Sequence, residues 1–390
     1  MRSFHPFPAR MAPELALKAF ESLRPTSIIL DPMAGSGTVL RQASYQAYHS
    51  IGFDVDPLAV LMSRVATSAY SNAESLTDYG EFLISVAMKT DGRSLRLPWI
   101  DSSKETKAFV KYWFADEQRR ALRKLSYVIA AERCGKRARL AQLALSRLIV
   151  TKEMKASLAR DTSHSRPHKV ATENGFNVFD GFRKSLAQLA QLVEQNELKG
   201  TVTVHHGDAR RMDKVADCYV DAIITSPPYL NAIDYLRGHR LSLVWLGHSL
   251  EELRKIRTQS IGSERGLSTA DARVAEIAKA TGELERHSNR DRAMITRYAH
   301  DLFDQLRESA RVLKSGGKAV YVVGNSCLRG NFIYNSRAVI KAATVNGFRL
   351  LDDSERELPA GSRYLPMPSG DGALAKRMRT ESVLTFVKAT

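Results

Sequence analysis

Eight residues, Asp31-Pro32-Met33-Ala34-Gly35-Ser36-Gly37-Thr38, do most to limit what this chain can fold into. An apolar run, Ser27 to Leu30, leads into them, and VLRQASYQAY, with helical spacing of its apolar residues, leads out. Next comes Ser50-Ile51-Gly52-Phe53-Asp54, a second apolar run that ends on an acid. Asp56-Pro57 then opens another helix, with Asp56 as N-cap and Pro57 in the first turn, where its missing N–H is harmless. Strand, glycine turn, helix, strand, acid and helix in that order predict the opening of a parallel α/β sheet. Gly35 and Gly37 let a ligand approach the backbone, and the helix behind them offers amide donors. The Gly-x-x-x-x-Gly-Lys-Ser/Thr pattern is missing, so the turn is not built for a triphosphate.

A second stretch, Asp221 to Tyr235, carries the other local signal. Ala222-Ile223-Ile224 reads as a short buried strand. Pro227 and Pro228 end it, since neither can donate to a ladder. What remains is a rigid strand-end loop, Thr225-Ser226-Pro227-Pro228-Tyr229, presenting a small hydroxyl, two carbonyls and an aromatic face. Such a loop suits a flat ring that carries an amino group.

Between these stretches the texture changes. Residues 75–200 are helical by period, and the segment from Arg93 to Lys169 holds 19 Lys/Arg against 7 Asp/Glu. Most of the chain's net charge of +16 therefore sits in one insertion, and this favours a polyanionic partner, nucleic acid before an acidic membrane surface. Arg119-Arg120-Ala121-Leu122-Arg123-Lys124 reads as a backbone-contacting helix face. Ser163 to Lys169 has histidines four apart, but Pro167 breaks the helix that a two-histidine metal site needs, which leaves a phosphate-contacting or plain solvated loop. The sheet resumes with Thr201 to Asp208 and then Asp221 to Thr225. Residues 231–295 are mostly helical and polar, with a loop from Ile256 to Leu267. A helix from Arg297 to Leu313 stops at Lys314-Ser315-Gly316-Gly317. Lys318 to Gly324 is a strand, Ser336 to Asn346 a helix, and Phe348–Asp353 and Ser382–Val387 close the sheet. The expected domains are residues 1–74, a basic helical insertion over 75–200, and residues 201–390. Cys134, Cys218 and Cys327 fit no metal or disulfide spacing. No signal-peptide core or transmembrane run is present, and a cytoplasmic protein is expected.

Taken together the motifs resemble those of the S-adenosylmethionine-dependent DNA amino-methyltransferases, which modify cytosine N4 or adenine N6. DPMAGSGT is similar to that family's cofactor loop, TSPPY to its catalytic loop, GFDVDP to its ribose-binding acid segment, and HGDAR to its adenine-contacting one. FHPFPARMAP is similar to a segment that packs on the methionine end of the cofactor. The resemblance implies a Rossmann-like methyltransferase fold: a mostly parallel, seven-stranded, doubly wound sheet with a helical insertion. It implies S-adenosyl-L-methionine as cofactor, bound by Phe7, Asp31, Pro32, Ala34, Gly35, Ser36, Gly37, Thr38, Asp54, Asp208 and Ala209. It implies catalysis by Ser226, Pro227, Pro228 and Tyr229, without a metal. The insertion precedes the third strand, whereas the family usually places target recognition after it. The base-reading role therefore stays open between residues 75–200 and 231–295.

The implied reaction is methylation of the exocyclic amine of a base flipped out of double-stranded DNA, sequence-specifically, within DNA methylation or a restriction-modification system with a companion endonuclease. Serine at 226 tilts the target to cytosine N4. Adenine N6, a base in structured RNA, and an inactive DNA-binding protein are the alternatives.

Overall fold

In a computed structural model of the chain, the structure describes residues 3–7, 11–132, 135–164, 166–230, 234–261, 271–357 and 380–389. Cys134 and residues 262–267 of the expected loop lie outside these; Cys218 and Cys327 are free thiols. The chain divides into two compact units: Ala9–Val55, Lys199–Ile233 and Arg257–Thr390 form one, and Met1–Pro8, Asp56–Leu198 and Asp234–Ile256 the other.

The first unit holds a seven-stranded sheet: β1 (Ile28–Asp31), β2 (His49–Asp54), β3 (Val202–His206), β4 (Val220–Thr225), β5 (Leu313–Gly324), β6 (Phe348–Glu357) and β7 (Thr380–Lys388). The spatial order is β6-β7-β5-β4-β1-β2-β3. Strands β1 to β5 pair in parallel, and β7 runs antiparallel between β5 and β6. This is the Rossmann-like, doubly wound α/β class expected from the sequence.

Successive residues of a strand face opposite sides, and the core divides accordingly. Leu30, Ile223, Tyr321 and Phe386 pack with the helices Asn289–Val312 and Asn335–Val345. Ile29, Ile224 and Val320 pack on the other side with Ala16 and Phe20 of helix Pro13–Phe20 and Val39 and Ala43 of helix Thr38–Tyr45. Asp221, at the start of β4, has its carboxylate held below the usual range by Lys314 at 2.7 Å and by the Ile28 amide at 2.8 Å. It stitches β4 to β1 and to the start of β5.

Two elements differ from expectation. Lys314 to Gly317 is not a helix stop outside the sheet: β5 already begins at Leu313, paired with Val220, and pairing resumes at Ala222–Lys318. The intervening residues bulge out, with Gly316 at φ +72 taking the left-handed geometry that would strain other residues. Around the second difference, Ala159–Arg160 pairs with His168–Lys169 in a small antiparallel ladder, and Thr162–His164 is a turn of 3₁₀-helix. Thr162 is buried and its Oγ1 meets the Thr151 amide and the Ile149 carbonyl, so the segment is anchored rather than simply solvated.

The second unit is mainly helical. Helix Pro57–Ala66 starts as the sequence indicates, with Pro57 in the first turn and Asp56 accepting from the Leu58 amide at 2.9 Å. Helices Ala73–Lys89, Lys104–Trp113, Asp116–Ala131, Lys136–Ser146 and Val178–Glu194 follow. Tyr235–Leu243 and the start of Leu250–Gln259 belong with them, and residues 256–259 of the expected 256–267 loop are helical. No helix among the described residues is long and apolar enough to cross a membrane.

One glycine gives a stability test. A Cβ on Gly200 would lie 1.9 Å from the Tyr48 carbonyl oxygen, a backbone atom with no rotamer to move. Gly200→Ala is expected to lower the unfolding free energy by about 2 kcal/mol or more, read by urea denaturation; an unchanged midpoint would contradict the close approach.

Candidate functional site

The order of the sheet reverses between β1 and β4: from β1 the chain proceeds outward through β2 and β3, and from β4 it proceeds the other way. In doubly wound sheets ligands bind beyond the strand carboxyl ends at this switch point. The two sequence motifs lie here. Asp31 closes β1 and begins the glycine turn; Thr225 closes β4 and precedes Ser226. Parallel pairing of Ile29 with Ala222 and Leu30 with Ile223 makes both loops leave the same end of neighbouring strands. Thr225 Oγ1 donates to Asp31 Oδ1 at 2.7 Å and ties them together.

The glycine turn is built on strain that only glycine relieves at low cost. Gly35 has φ +51 and Gly37 φ +78. Ala34 donates its amide to the Phe53 carbonyl at 2.8 Å, and the Gly35 amide reaches Asp54 Oδ2 at 2.8 Å. The acid at the end of β2 thus shapes the turn after β1. Gly52, paired with Asp31, lets the following helix close on the sheet: a Cβ there would lie 2.4 Å from Leu40 Cδ1. Thr38 begins that helix with Gly37 as its cap residue, and Ser36 Oγ lies 3.4 Å from Thr38 Oγ1. Pro32 follows Asp31 within the same buried turn.

Asp31 itself is buried, and desolvation pushes its carboxyl up to about 7, opposed by the Thr225 hydroxyl and the Met33 amide and assisted by the negative Asp54. The folded protein holds this proton to higher pH than the unfolded chain, so Asp31 weakens the fold as pH rises from about 4 to about 7, then levels off. Asp31→Asn is expected to remove that slope, gaining stability relative to wild type by about 1.4 kcal/mol for each unit of the rise. Urea denaturation of both proteins at pH 4.5 and 7.5 measures it, and a constant difference between them would contradict the assignment.

At the end of β3, Asp208 is more engaged than the sequence suggests. Its two oxygens meet Arg210 Nε at 3.0 Å and Nη2 at 2.6 Å, while Arg210 Nη1 pairs with Asp301 on the helix Asn289–Val312. The two carboxylates raise the guanidinium's pKa, although burial opposes them. Among the described residues no acceptor meets the amide of the buried Ala209.

The second loop is braced from behind. Ser226 Oγ donates to the Val322 carbonyl at 3.0 Å. Tyr298, fully buried, donates its hydroxyl to the Pro228 carbonyl at 3.3 Å. Asn335 accepts from the Leu230 amide at 3.4 Å and donates to the Gly324 carbonyl at 3.0 Å, and Ser326 donates to the Leu230 carbonyl at 2.7 Å. Among the described residues nothing donates to the Pro227 carbonyl. The half-buried ring of Tyr229 lies on Gly324, where a Cβ would fall 2.8 Å from Cε2. Burial, with Glu381 adding, pushes its phenol up to about 12; Ser226 and the Gly324 backbone oppose this.

The sheet unit therefore brings together every expected site residue except Phe7, which belongs to the helical unit. There Phe7 stacks on Tyr235 with ring centroids 5.0 Å apart and planes at 3°. The bracing residues Thr225, Tyr298, Ser326 and Asn335, and Arg210 on Asp208, were not identified from the sequence. Thr225 could have been, because it ends the same strand one residue before Ser226. Tyr298 and Asn335 reach the loop from helices far along the chain, and local pattern carries no sign of that.

No family model matches the chain. The Type II methyltransferase M.MvaI of Kocuria varians is 22% identical over 357 residues, which cover 84% of this chain and 77% of that protein. The Type II methyltransferase M.BsoBI of Geobacillus stearothermophilus is 24% identical over 249 residues, 59% of this chain but only 49% of its own length. Among solved structures, a SAM-dependent methyltransferase from Methanosarcina mazei aligns over 95% of this chain and 97% of its own, with 9% identity and a TM-score of 0.35. The chain is thus similar in sequence, across most of its length, to a Type II methyltransferase.

Proposed function

We propose that this chain transfers a methyl group from S-adenosyl-L-methionine to the exocyclic amine of a base in DNA, with N4 of cytosine as the target. One observation carries the reading: a glycine turn and a Ser-Pro-Pro-Tyr loop leave adjacent parallel strands at the sheet's switch point, tied by the Thr225–Asp31 hydrogen bond. Similarity to two Type II methyltransferases supports the reaction class and DNA as its substrate. The net charge of +16 agrees with a polyanionic substrate.

The residues fit such a cofactor. Gly35 and Gly37 hold the turn open to close approach, and Asp54 stands beside it to accept ribose hydroxyls. The Ala209 amide is available to a ring nitrogen, and Asp208, locked by Arg210, fixes the segment that presents it. Asp31, Pro32, Ala34, Ser36 and Thr38 shape the wall of the turn. The bound cofactor supplies an electrophilic methyl group on a sulfonium.

The protein's own work lies in the amine. Conjugation delocalises the lone pair of an aromatic amine and makes it a poor nucleophile. Ser226 spends its proton on the Val322 carbonyl, which leaves its oxygen lone pairs to accept an N–H. The Pro227 carbonyl accepts the second N–H. Both bonds localise the lone pair on nitrogen, and the two prolines and the Tyr298 brace hold the acceptors still. A phenol pushed up to about 12 stays neutral at physiological pH, so Tyr229 packs on the base and takes no proton; the extra proton of the methylated nitrogen leaves to solvent water. The base reaches this loop only when flipped from the duplex.

Incubation with radiolabelled cofactor and genomic DNA, followed by nucleoside analysis, tests the reading. Label in N4-methylcytosine is expected. Label in N6-methyladenine would redirect the target, transfer to RNA alone would redirect the substrate, and tight cofactor binding without transfer to any nucleic acid would leave a DNA-binding protein.

A further inference from the structure

The helix Lys104–Trp113 in the helical unit has an unusual outer face. Ser103 caps it, accepting from the Thr106 amide at 3.1 Å, and Thr106 and Val110 bury its inner side. Lys104, Lys107 and Lys111 are exposed at spacings of three and four, where like charges repel. The nearby acids are already taken: Glu105 by Arg254 and Asp101 by Arg123. Beside the lysines stand aromatics. Tyr112 is 53% exposed, although tyrosine usually buries its ring, and it meets half-buried Trp113 edge-on at 4.9 Å.

One further cation is led onto this face by the backbone. Leu158 donates its amide to the Trp113 carbonyl at 2.8 Å, and Val170 donates to the Leu158 carbonyl at 2.9 Å. That places Lys169, in the small ladder opposite Ala159, with its ammonium 4.8 Å from the centre of the Tyr112 ring. Arg240 lies over Phe109 at 5.3 Å. Among the described residues, Lys104, Lys107, Lys111 and Lys169 form no ion pair.

We propose that this face is a nucleic-acid contact in which the lysines take backbone phosphates and Tyr112 stacks on an unpaired base. An exposed ring flanked by unpaired cations has the chemistry of a single-strand platform: stacking needs no particular base, and the charges track the backbone. A polyanion would also relieve the repulsion among Lys104, Lys107 and Lys111, which Asp101, already held by Arg123, offsets only in part at Lys107. The inference rests on the proposed action on DNA and adds where an unpaired stretch of that substrate is held.

The test uses the full chain and fluorescein-labelled 30-mers, single-stranded and duplex, with anisotropy measured from 50 to 300 mM salt. Lys107→Glu/Lys111→Glu is expected to weaken single-strand binding about tenfold or more at 100 mM salt and to lower the salt slope by about 2. Tyr112→Ala should weaken single-strand binding about tenfold and duplex binding far less, and Tyr112→Phe should restore it. Binding should quench tryptophan fluorescence in wild type and much less in Trp113→Phe. Thermal melts confirm that each variant is folded. Wild-type affinity and slope in the lysine variant, or equal losses on both DNAs for Tyr112→Ala, would overturn the proposal. So would variants that keep DNA affinity but lose binding to phosphatidylserine vesicles, since the face would then serve a membrane. Methyl transfer by wild type with unchanged binding in the variants sinks this inference alone; single-strand binding that follows the predictions without any transfer sinks the catalytic reading alone.

Discussion

Ser226→Ala is expected to lower turnover by about 100-fold while leaving cofactor affinity within a factor of two of wild type. The size follows from removing one prearranged hydrogen-bonding partner at the reacting group, an effect of about 3 kcal/mol on the barrier. The side chain lies at the loop rather than in the core; its hydroxyl donates to the Val322 carbonyl at 3.0 Å and also meets the Tyr229 phenol. Folding should therefore survive its loss, because Tyr298, Ser326 and Asn335 still hold the loop. Single-turnover kinetics with excess enzyme separate the chemical step from binding, and calorimetry reads the cofactor. Wild-type single-turnover rates in the variant would refute the assigned role of Ser226. A loss of cofactor affinity equal to the loss of rate would mean that the serine shapes the cofactor turn instead.

Asp54→Ala should show the opposite division. Its carboxylate holds the Gly35 amide at 2.8 Å, in a turn whose φ of +51 the neighbouring backbone must sustain. The proposed ribose contact is lost with it. Charge-assisted hydrogen bonds are each worth about 1.5 to 3 kcal/mol, so losing the support of the turn and one ribose bond predicts a rise of about 100-fold or more in the Kd for S-adenosyl-L-methionine. Turnover at saturating cofactor should fall only a few-fold, since the acceptor loop keeps its own braces. Isothermal calorimetry with the wild-type protein and the variant is the measurement, and an unchanged Kd would remove Asp54 from the cofactor site. Together the two substitutions ask whether the turn and the loop, joined through Thr225 and Asp31, perform separable tasks.

Where sequence and structure part, the cause is physical and specific. The helix expected from Arg297 begins at Asn289, with Ser288 accepting from the Asp291 amide at 3.2 Å. The Ser-x-x-Asp cap was present in the sequence, but the polar residues behind it, with little apolar period, hid the helix. The Gly316-Gly317 pair looked like a terminator because glycines end helices by local rules. In the fold Leu313 pairs with Val220 across the sheet, and the glycines become a bulge within β5. The expected strand Phe348–Asp353 runs on to Glu357, because its partner β7 supplies ladder bonds to residues that carry no apolar signal.

By itself the sequence determined the parallel sheet, the glycine turn, the abrupt end of β4 and the concentration of positive charge, because each is set by local stereochemistry or composition. Glycine tolerates positive φ, proline cannot donate to a ladder, and apolar β-branched runs bury themselves. Tertiary structure alone decided that β1 and β4 are neighbours, that Thr225 reaches Asp31, that Arg210 meets Asp301, and that Tyr298 and Asn335 steady the loop. Those hydrogen bonds join residues from 70 to 194 positions apart. Hydrogen bonds of such reach depend on where the packed sheet and helices carry the backbone, which no short window of sequence encodes.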